Sequence, residues 1–181
     1  YRYYSFTGSP PNQITTAVSE KYDFSKQLYR QFGFQEQLNN DDWWDLLWLL
    51  ADKTSQGKVV ILFDEISWMA SKDPSFLSKL KTIWDTSFSK NPNLCLILCG
   101  SISLWIEENI MSGTGFLGRL SLVLDVKELP LSDCNQFWNE AAGNISAYEK
   151  LKLLAVTGGV PRYLEEIDMN ISAEENIKKL C

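Results

Sequence analysis

Runs of apolar residues recur along the chain, and each ends in polar or glycine-rich sequence. The opening "YRYYSF" is rich in β-forming residues and stops at "TGSPP". The runs "KVVILFDE" (58–65) and "NLCLILCGS" (93–101) are continuously apolar, which is typical of parallel strands buried on both faces. A fourth run, "LSLVLDV" (120–126), predicts a further strand. Right-handed crossover makes the second and third runs parallel neighbours.

Helix-forming segments separate these strands. The segment "NNDDWWDLLWLLADK" is apolar on nearly every face, which favours a buried helix over the alternative, a helix that presents a partner surface. Capping and stop signals set the predicted helix limits: 26–32 closed by Gly33, a start at Asn40 or Asp41 for the tryptophan-rich helix, and 73–88 opened by Asp73 and Pro74.

The last third of the chain contains only helical signals. A helix begins at "PLSD", with Ser132 or Asp133 as its cap, and the final one opens on the capping-box pair Ser172 and Glu175. Strands that alternate with helices and then give way to helices predict an α/β fold with a parallel sheet, followed by a helical segment. The boundary is expected near Pro130, which gives domains 1–129 and 130–181.

Composition narrows the function classes. The 181 residues are 45% hydrophobic, enough for a sizeable core, and carry a net charge of −6. An acidic chain is poorly suited to broad contact with nucleic acids or membrane surfaces, so nucleic-acid contact is expected only through other domains. No signal peptide or membrane-spanning segment is visible, and a cytoplasmic location is expected.

The chain has no histidine and no C-x-x-C pair. Histidine-based catalysis is therefore excluded, and a zinc site is not expected. The four cysteines are interpreted as reduced and core-like, because Cys95 and Cys99 lie within an apolar run, Cys134 follows a turn and Cys181 is terminal.

An acidic pair follows the second apolar run. Asp64 and Glu65 are expected at the carboxyl end of a parallel strand, where open sheets bind ligands. The first acid can hold Mg²⁺, largely through water, and the second can polarise a water that attacks a phosphoryl group. The alternative is a solvated turn. Ser101 ends the next strand and could hold the attacking water or a terminal phosphate, or it could cap a helix.

The order of "VVILFDEISW", a helix with "IWD", "LCLILCGS", "GFLGR", "LPLSD" and "TGGVPRYL" resembles the AAA+/STAND-type ATPases common in archaea and bacteria. The resemblance covers nearly the whole chain. It implies a P-loop NTPase-like core followed by a helical lid, with ATP and Mg²⁺ as ligands and a role as an ATP-hydrolysing, nucleotide-dependent switch. Family members often carry a further C-terminal domain, so such a domain or a protein partner is expected, and an oligomer is possible.

The resemblance assigns roles residue by residue. Asp64 matches the magnesium-binding Walker B acid, Glu65 the catalytic glutamate, and Ser101 the sensor position. Arg119, in "GFLGR", matches an arginine that acts as a finger or an intersubunit contact; the alternative is a surface salt bridge.

The "GGVP" segment (158–161) resembles the glycine–proline motif of the lid, which lies near the adenine. Gly159 and Pro161 are the expected nucleotide contacts there. The same residues also have a purely structural interpretation as helix punctuation, with a stop at the glycines and a start at the proline.

One departure from the family is large. The sequence contains no G-x-x-x-x-G-K-S/T phosphate loop, and its one Gly-Lys pair, Gly57-Lys58, precedes the acidic strand. The simplest account is a fragment that begins after the P-loop and is inactive alone. Two other functions stay open: a nucleotide-free interaction module with the tryptophan-rich helix as its surface, and a divalent-metal nuclease that uses Asp64 and Glu65.

Overall fold

The structure is a computed structural model that describes residues 1–12, 14–34, 42–138 and 145–180. The chain forms two compact units, residues 1–121 and residues 122–181. The first unit has an α/β fold and the second consists of short helices.

The first unit contains a three-stranded parallel sheet in the order β1-β2-β3. The central strand is the one that leads into Asp64 and Glu65. It pairs in parallel with the strand of the third apolar run, so the prediction that these two runs are parallel neighbours is confirmed. The elements are β1 (Arg2–Thr7), α1 (Ala17–Phe32), α2 (Trp43–Lys53), β2 (Val59–Asp64), α3 (Ile66–Ser71), α4 (Ser75–Thr86), β3 (Leu94–Leu98) and α5 (Ser103–Ile106), which continues as a π-helical turn (Glu107–Met111).

An aromatic cluster forms the centre of the core on one face of the sheet. Phe6 stacks on Phe24 with ring centroids 4.7 Å apart, and Trp43 meets Phe76 edge-on at 4.6 Å. Phe63 of the central strand contacts the same group. All five side chains are buried, so the buried-helix interpretation of α2, which contributes Trp43, is correct.

The opposite face of the sheet is more open than the sequence predicts. Along β3 the residues Leu94, Leu96 and Leu98 pack against the core, whereas Cys95 and Ile97 between them are exposed. The prediction that this strand is buried on both faces is therefore wrong, because only alternate residues of β3 pack against the core. The core-like interpretation of Cys95 and Cys99 is wrong for the same reason.

Two glutamines of α1 bond the outer edge of β1. Gln31 accepts from the backbone N–H of Ser5 and donates to its carbonyl, and Gln27 does the same with Thr7. Residues four apart on a helix rise by about 6 Å, and residues two apart on a strand by about 6.6 Å. The two spacings match, so each glutamine amide stands where a neighbouring peptide group would.

Several helix ends differ in detail from the prediction. α1 begins at Ala17, nine residues before the predicted start at residue 26, behind a capping box formed by Thr16 and Ser19. It ends as predicted at Gly33, which adopts a left-handed conformation. Asp42 caps α2 by accepting from Trp44 N–H. The predicted caps Asn40 and Asp41 lie outside the described residues.

The second unit contains α6 (Leu131–Cys134), α7 (Ala147–Thr157), α8 (Pro161–Glu165) and α9 (Ala173–Leu180). Pro130, rather than Ser132 or Asp133, is the cap residue of α6. Cys134 is buried in this unit's small core, in agreement with its core-like interpretation; Cys181 lies outside the described residues. The capping box between Ser172 and Glu175 is present, with hydrogen bonds in both directions.

The strand predicted over 120–126 is not formed. This segment has no regular secondary structure, and its side chains are largely exposed, Val126 at 90%. An apolar run becomes a strand only beside another strand that can accept its backbone hydrogen bonds. No described residue pairs with this segment as a strand.

Among the described residues, no helix combines the length and apolar character that a membrane crossing requires.

Candidate functional site

The candidate site lies where the three parallel strands end. Asp64 is the last residue of β2, and its carbonyl accepts from the N–H of Gly8, just beyond β1, at 3.0 Å. On the other side, Cys99 N–H donates to the carbonyl of Phe63 at 2.8 Å. These hydrogen bonds extend the sheet by one residue at both neighbours, so the three strand ends lie side by side around the acidic pair.

Glu65 makes the turn from β2 into α3 in an unusual conformation. Its φ and ψ are 52° and 46°, and it is the only non-glycine residue with a positive φ among those described. This left-handed conformation costs a bulky residue roughly 1–3 kcal/mol and persists where surrounding contacts impose it. Here the next N–H, that of Ile66, donates to the carbonyl of Cys99 at 3.0 Å, so the start of α3 is attached to the end of β3.

The turn directs the Glu65 carboxylate to the end of β3. The Ser101 hydroxyl donates to Oε2 of Glu65 at 3.0 Å, and the Ser101 N–H approaches the same oxygen at 3.4 Å. Asp64 lies alongside, with Oδ1 accepting from the Glu65 N–H at 3.1 Å. The structure therefore brings together three of the predicted residues: Asp64, Glu65 and Ser101.

Cys99 is a neighbour that the sequence prediction did not include in the site. Loss of hydration beside its neighbours raises the pKa of its thiol, and the negative charges of Asp64 and Glu65 raise it further. The thiol therefore stays protonated at neutral pH. In that form it is a poor nucleophile.

The site's donor set suits a magnesium ion that keeps most of its water. Two carboxylates and a hydroxyl are hard oxygen ligands, and Mg²⁺ in nucleotide sites is held by one or two carboxylates, waters and phosphate oxygens. No group of three or more His, Cys, Asp or Glu side chains that could hold a metal ion occurs in the described parts of the chain.

Arg119 is engaged elsewhere in the first unit. Its guanidinium forms a two-pronged ion pair with Asp85 of α4, at 2.7 Å and 2.9 Å, and Lys81 joins the same carboxylate at 3.0 Å. Arg119 and Lys81 together lower the pKa of Asp85 to about 2. The salt bridge that was the alternative role of Arg119 is thus present, and the glycine-rich loop before it is attached to α4.

Gly159 holds the backbone of the segment before α6 in the second unit. Leu129 N–H donates to the Gly159 carbonyl at 2.8 Å, and Gly159 N–H donates to Glu128 at 3.2 Å. A Cβ on Gly159 would overlap the backbone of Leu129. Pro161 is the first residue of α8. The helix-punctuation interpretation of this segment therefore describes its geometry well.

A second carboxylate cluster lies beside the end of β1. Glu20 of α1 is only 2% exposed and accepts from the N–H of Ser9 at 3.2 Å, while Ser9 Oγ donates to Asp23 at 3.0 Å. Burial raises the pKa of Glu20, and the charge of Asp23 adds to the rise. No sequence signal identifies Glu20, because its position on α1 resembles that of any exposed acid in a first helical turn.

Comparisons with protein-family models, with curated proteins and with solved structures returned no match to this chain.

Proposed function

We propose that Asp64, Glu65 and Ser101 form the magnesium- and water-handling edge of a P-loop-type ATPase that works as a nucleotide-dependent switch. The observation that carries the proposal is the contact between Glu65 and Ser101 at the ends of adjacent parallel strands, with Asp64 beside them. Ligands of open parallel sheets bind outside the carboxyl ends of the strands, and this is where the three side chains meet.

Each residue has a role that its chemistry supports. Asp64 offers a charged oxygen to a hydrated Mg²⁺. Glu65 orients and polarises the water that attacks the terminal phosphoryl group, and Ser101 holds the Glu65 carboxylate in place. Phosphoryl transfer depends on positioning and electrostatics, and a glutamate held in a left-handed turn and hydrogen-bonded at its tip is well positioned.

The phosphate-binding element is not part of the 181 residues, since they contain no G-x-x-x-x-G-K-S/T segment. We therefore infer that sequence outside this chain supplies it, and that the chain alone binds Mg²⁺-ATP weakly or not at all. In the complete protein Gly159 and Pro161 would approach the adenine. Arg119 would serve as a finger only after leaving Asp85.

The alternative function, a nucleotide-free interaction module, depends on the tryptophan-rich helix as an exposed surface. Trp43, Leu46, Leu47 and Leu50 of α2 are buried, and Trp48 is 45% exposed. The tryptophan-rich helix is therefore mainly a core element.

The test begins with the coding sequence before Tyr1. If it encodes a phosphate loop, steady-state ATP hydrolysis is measured on the complete protein, its Glu65→Gln and Asp64→Asn variants, and the exposed control Glu108→Gln. We expect Glu65→Gln to keep nucleotide binding and lose hydrolysis by roughly a hundredfold or more, Asp64→Asn to weaken magnesium-dependent binding, and the control to match the parent. Hydrolysis at the parent rate by Glu65→Gln, or an upstream sequence without a phosphate loop, contradicts the proposal.

A further inference from the structure

Gly8 lies against the turn that holds Glu65. Its N–H donates to the carbonyl of Asp64, as described above, and its Cα faces the first turn of α3. A Cβ at this position would stand 2.7 Å from the Glu65 carbonyl oxygen and 3.0 Å from the Met69 nitrogen. Both are backbone atoms, which cannot swing away as the tip of a long side chain can. The third near atom, Cβ of Trp68, is at 3.1 Å and is equally fixed.

If the Glu65 peptide moved away from Gly8, it would lose hydrogen bonds that it and the next residue make on the other side. Its carbonyl accepts from the Trp68 N–H at 2.8 Å, which forms the first turn of α3. The following N–H, that of Ile66, is bonded to Cys99 at the end of β3. Glu65 is thus packed between the end of β1 and the end of β3, and this packing accounts for its left-handed conformation.

We propose that Gly8 is a positioning residue for Glu65: by leaving no side chain at the end of β1, it sets the turn that directs the Glu65 carboxylate to Ser101. The catalytic part of this inference rests on the proposed function, but the geometric part does not. Gly8 lies against the backbone of the turn and not against the carboxylate, so it acts only through that backbone.

The geometric part is tested on the 181-residue chain, without nucleotide. A double-mutant cycle of Glu65→Gln and Ser101→Ala, measured by denaturant unfolding, gives the coupling between the two side chains. We expect coupling in the parent background and none in a Gly8→Ala background. Gly100→Ala is the matched control, because its Cβ would meet only side-chain atoms of Ile106 and Ile66, the nearest at 3.4 Å, and no backbone; coupling should persist there. Coupling that survives in Gly8→Ala overturns the proposal.

A second pair of variants decides the matter if Gly8→Ala does not fold. Glu65→Gly and Glu65→Ala both lack the carboxylate, but only glycine adopts the left-handed conformation without strain. If packing against Gly8 imposes the left-handed conformation, Glu65→Gly unfolds at a higher denaturant concentration than Glu65→Ala. Equal midpoints, or the reverse order, overturn the proposal.

The catalytic part uses the complete protein. A displacement of about 1 Å in a positioned group can cost roughly a hundredfold in rate, so Gly8→Ala should lower kcat by about that factor while KM for ATP stays near the parent value. An unchanged kcat overturns the positioning role. If instead Glu65→Gln hydrolyses ATP at the parent rate, the proposed function fails, and the coupling measurement still decides the role of Gly8.

Discussion

The hydroxyl of Ser101 donates a hydrogen bond of 3.0 Å to the Glu65 carboxylate, across the ends of two neighbouring parallel strands. Glu65 is therefore held from two sides: its backbone turn is fixed against Gly8 and Cys99, and its side chain is fixed by Ser101.

Ser101→Ala should reduce ATP hydrolysis by the complete protein less than Glu65→Gln does. A hydrogen bond to a charged group contributes about 1.5 kcal/mol or more, so we expect a rate loss of roughly tenfold. The measurement is steady-state hydrolysis, with Ser78→Ala on the exposed side of α4 as the control. A loss as large as that of Glu65→Gln would mean that the hydroxyl contacts the reacting groups directly.

The sequence predicted the sheet and the acidic pair because these depend on local signals. Continuous apolar runs mark β2 and β3, and the position of Asp64 and Glu65 right after such a run places them at the edge where ligands bind. The contact with Ser101 followed from the expectation that the two strands are neighbours.

The remaining features depend on tertiary contacts that no local pattern encodes. Glu65 adopts a left-handed turn because Gly8 and Cys99 hold it there, although glutamate has no preference for that conformation. The apolar run 120–126 was expected to be a strand, yet it forms none, since strand formation requires a partner. Exposed Cys95 and Cys99 were misassigned because an apolar run does not reveal whether both faces of its strand are covered.

The stability of the chain should depend on pH through Glu20. Burial raises its pKa in the folded state above the ordinary value of 4.5, so the folded state binds the proton more tightly than the unfolded state does. The stabilising contribution of the protonated acid is therefore complete below pH 4.5 and is lost as the pH rises through the raised pKa. Denaturant unfolding between pH 4 and 8 should show this decline, and Glu20→Gln should remove it.

Asp23→Asn is the companion to that experiment. It deletes the negative charge that contributes to the raised pKa of Glu20, so the decline should become smaller without disappearing. A decline that is unchanged in Glu20→Gln would show that another group produces it.

Gly159→Ala should destabilise the helical unit. The added Cβ overlaps the backbone of Leu129, and relief requires a shift of the segment that bonds to Gly159. Overpacking of this kind costs about 1–3 kcal/mol. Hydrogen exchange of α7 and α8 amides should become faster, whereas Gly115→Ala, whose Cβ has only an ordinary contact with Lys81 at 3.9 Å, should change nothing there. Parent-like exchange in Gly159→Ala would contradict the close approach.

Arg119→Ala should raise the pKa of Asp85 from about 2 toward its ordinary value of 3.8, because Arg119 is the strongest of the groups that lower it. A pKa lowered by folding stabilises the protein above pH 3.8, and that contribution is lost as the pH falls toward 2. The measurement is a carboxyl NMR titration of Asp85. Lys81→Ala should give a smaller rise, and a larger one would reverse the order of the two cations.

Gln31→Ala should loosen the contact between α1 and β1. It leaves the N–H and carbonyl of Ser5 without their side-chain partners, and each lost neutral hydrogen bond costs about 0.5–1.5 kcal/mol. Denaturant unfolding measures the change, with the exposed Arg30→Ala as the control on the same helix. Equal stability of the two variants would show that water replaces the glutamine at no cost.

The glutamine amides on β1 also limit how copies of this sheet can join. Gln27 and Gln31 imitate the peptide groups of an adjacent strand, so the backbone of β1 has no free groups at Ser5 and Thr7 to offer another molecule. Within the described residues no side chain bonds the backbone of β3, at the other edge, in this way. If two molecules paired through β3, the two outer edges of the combined sheet would both be β1 strands, whose backbone groups at Ser5 and Thr7 are already bonded to glutamine side chains. Association by strand addition would then end at a dimer instead of propagating into a fibre.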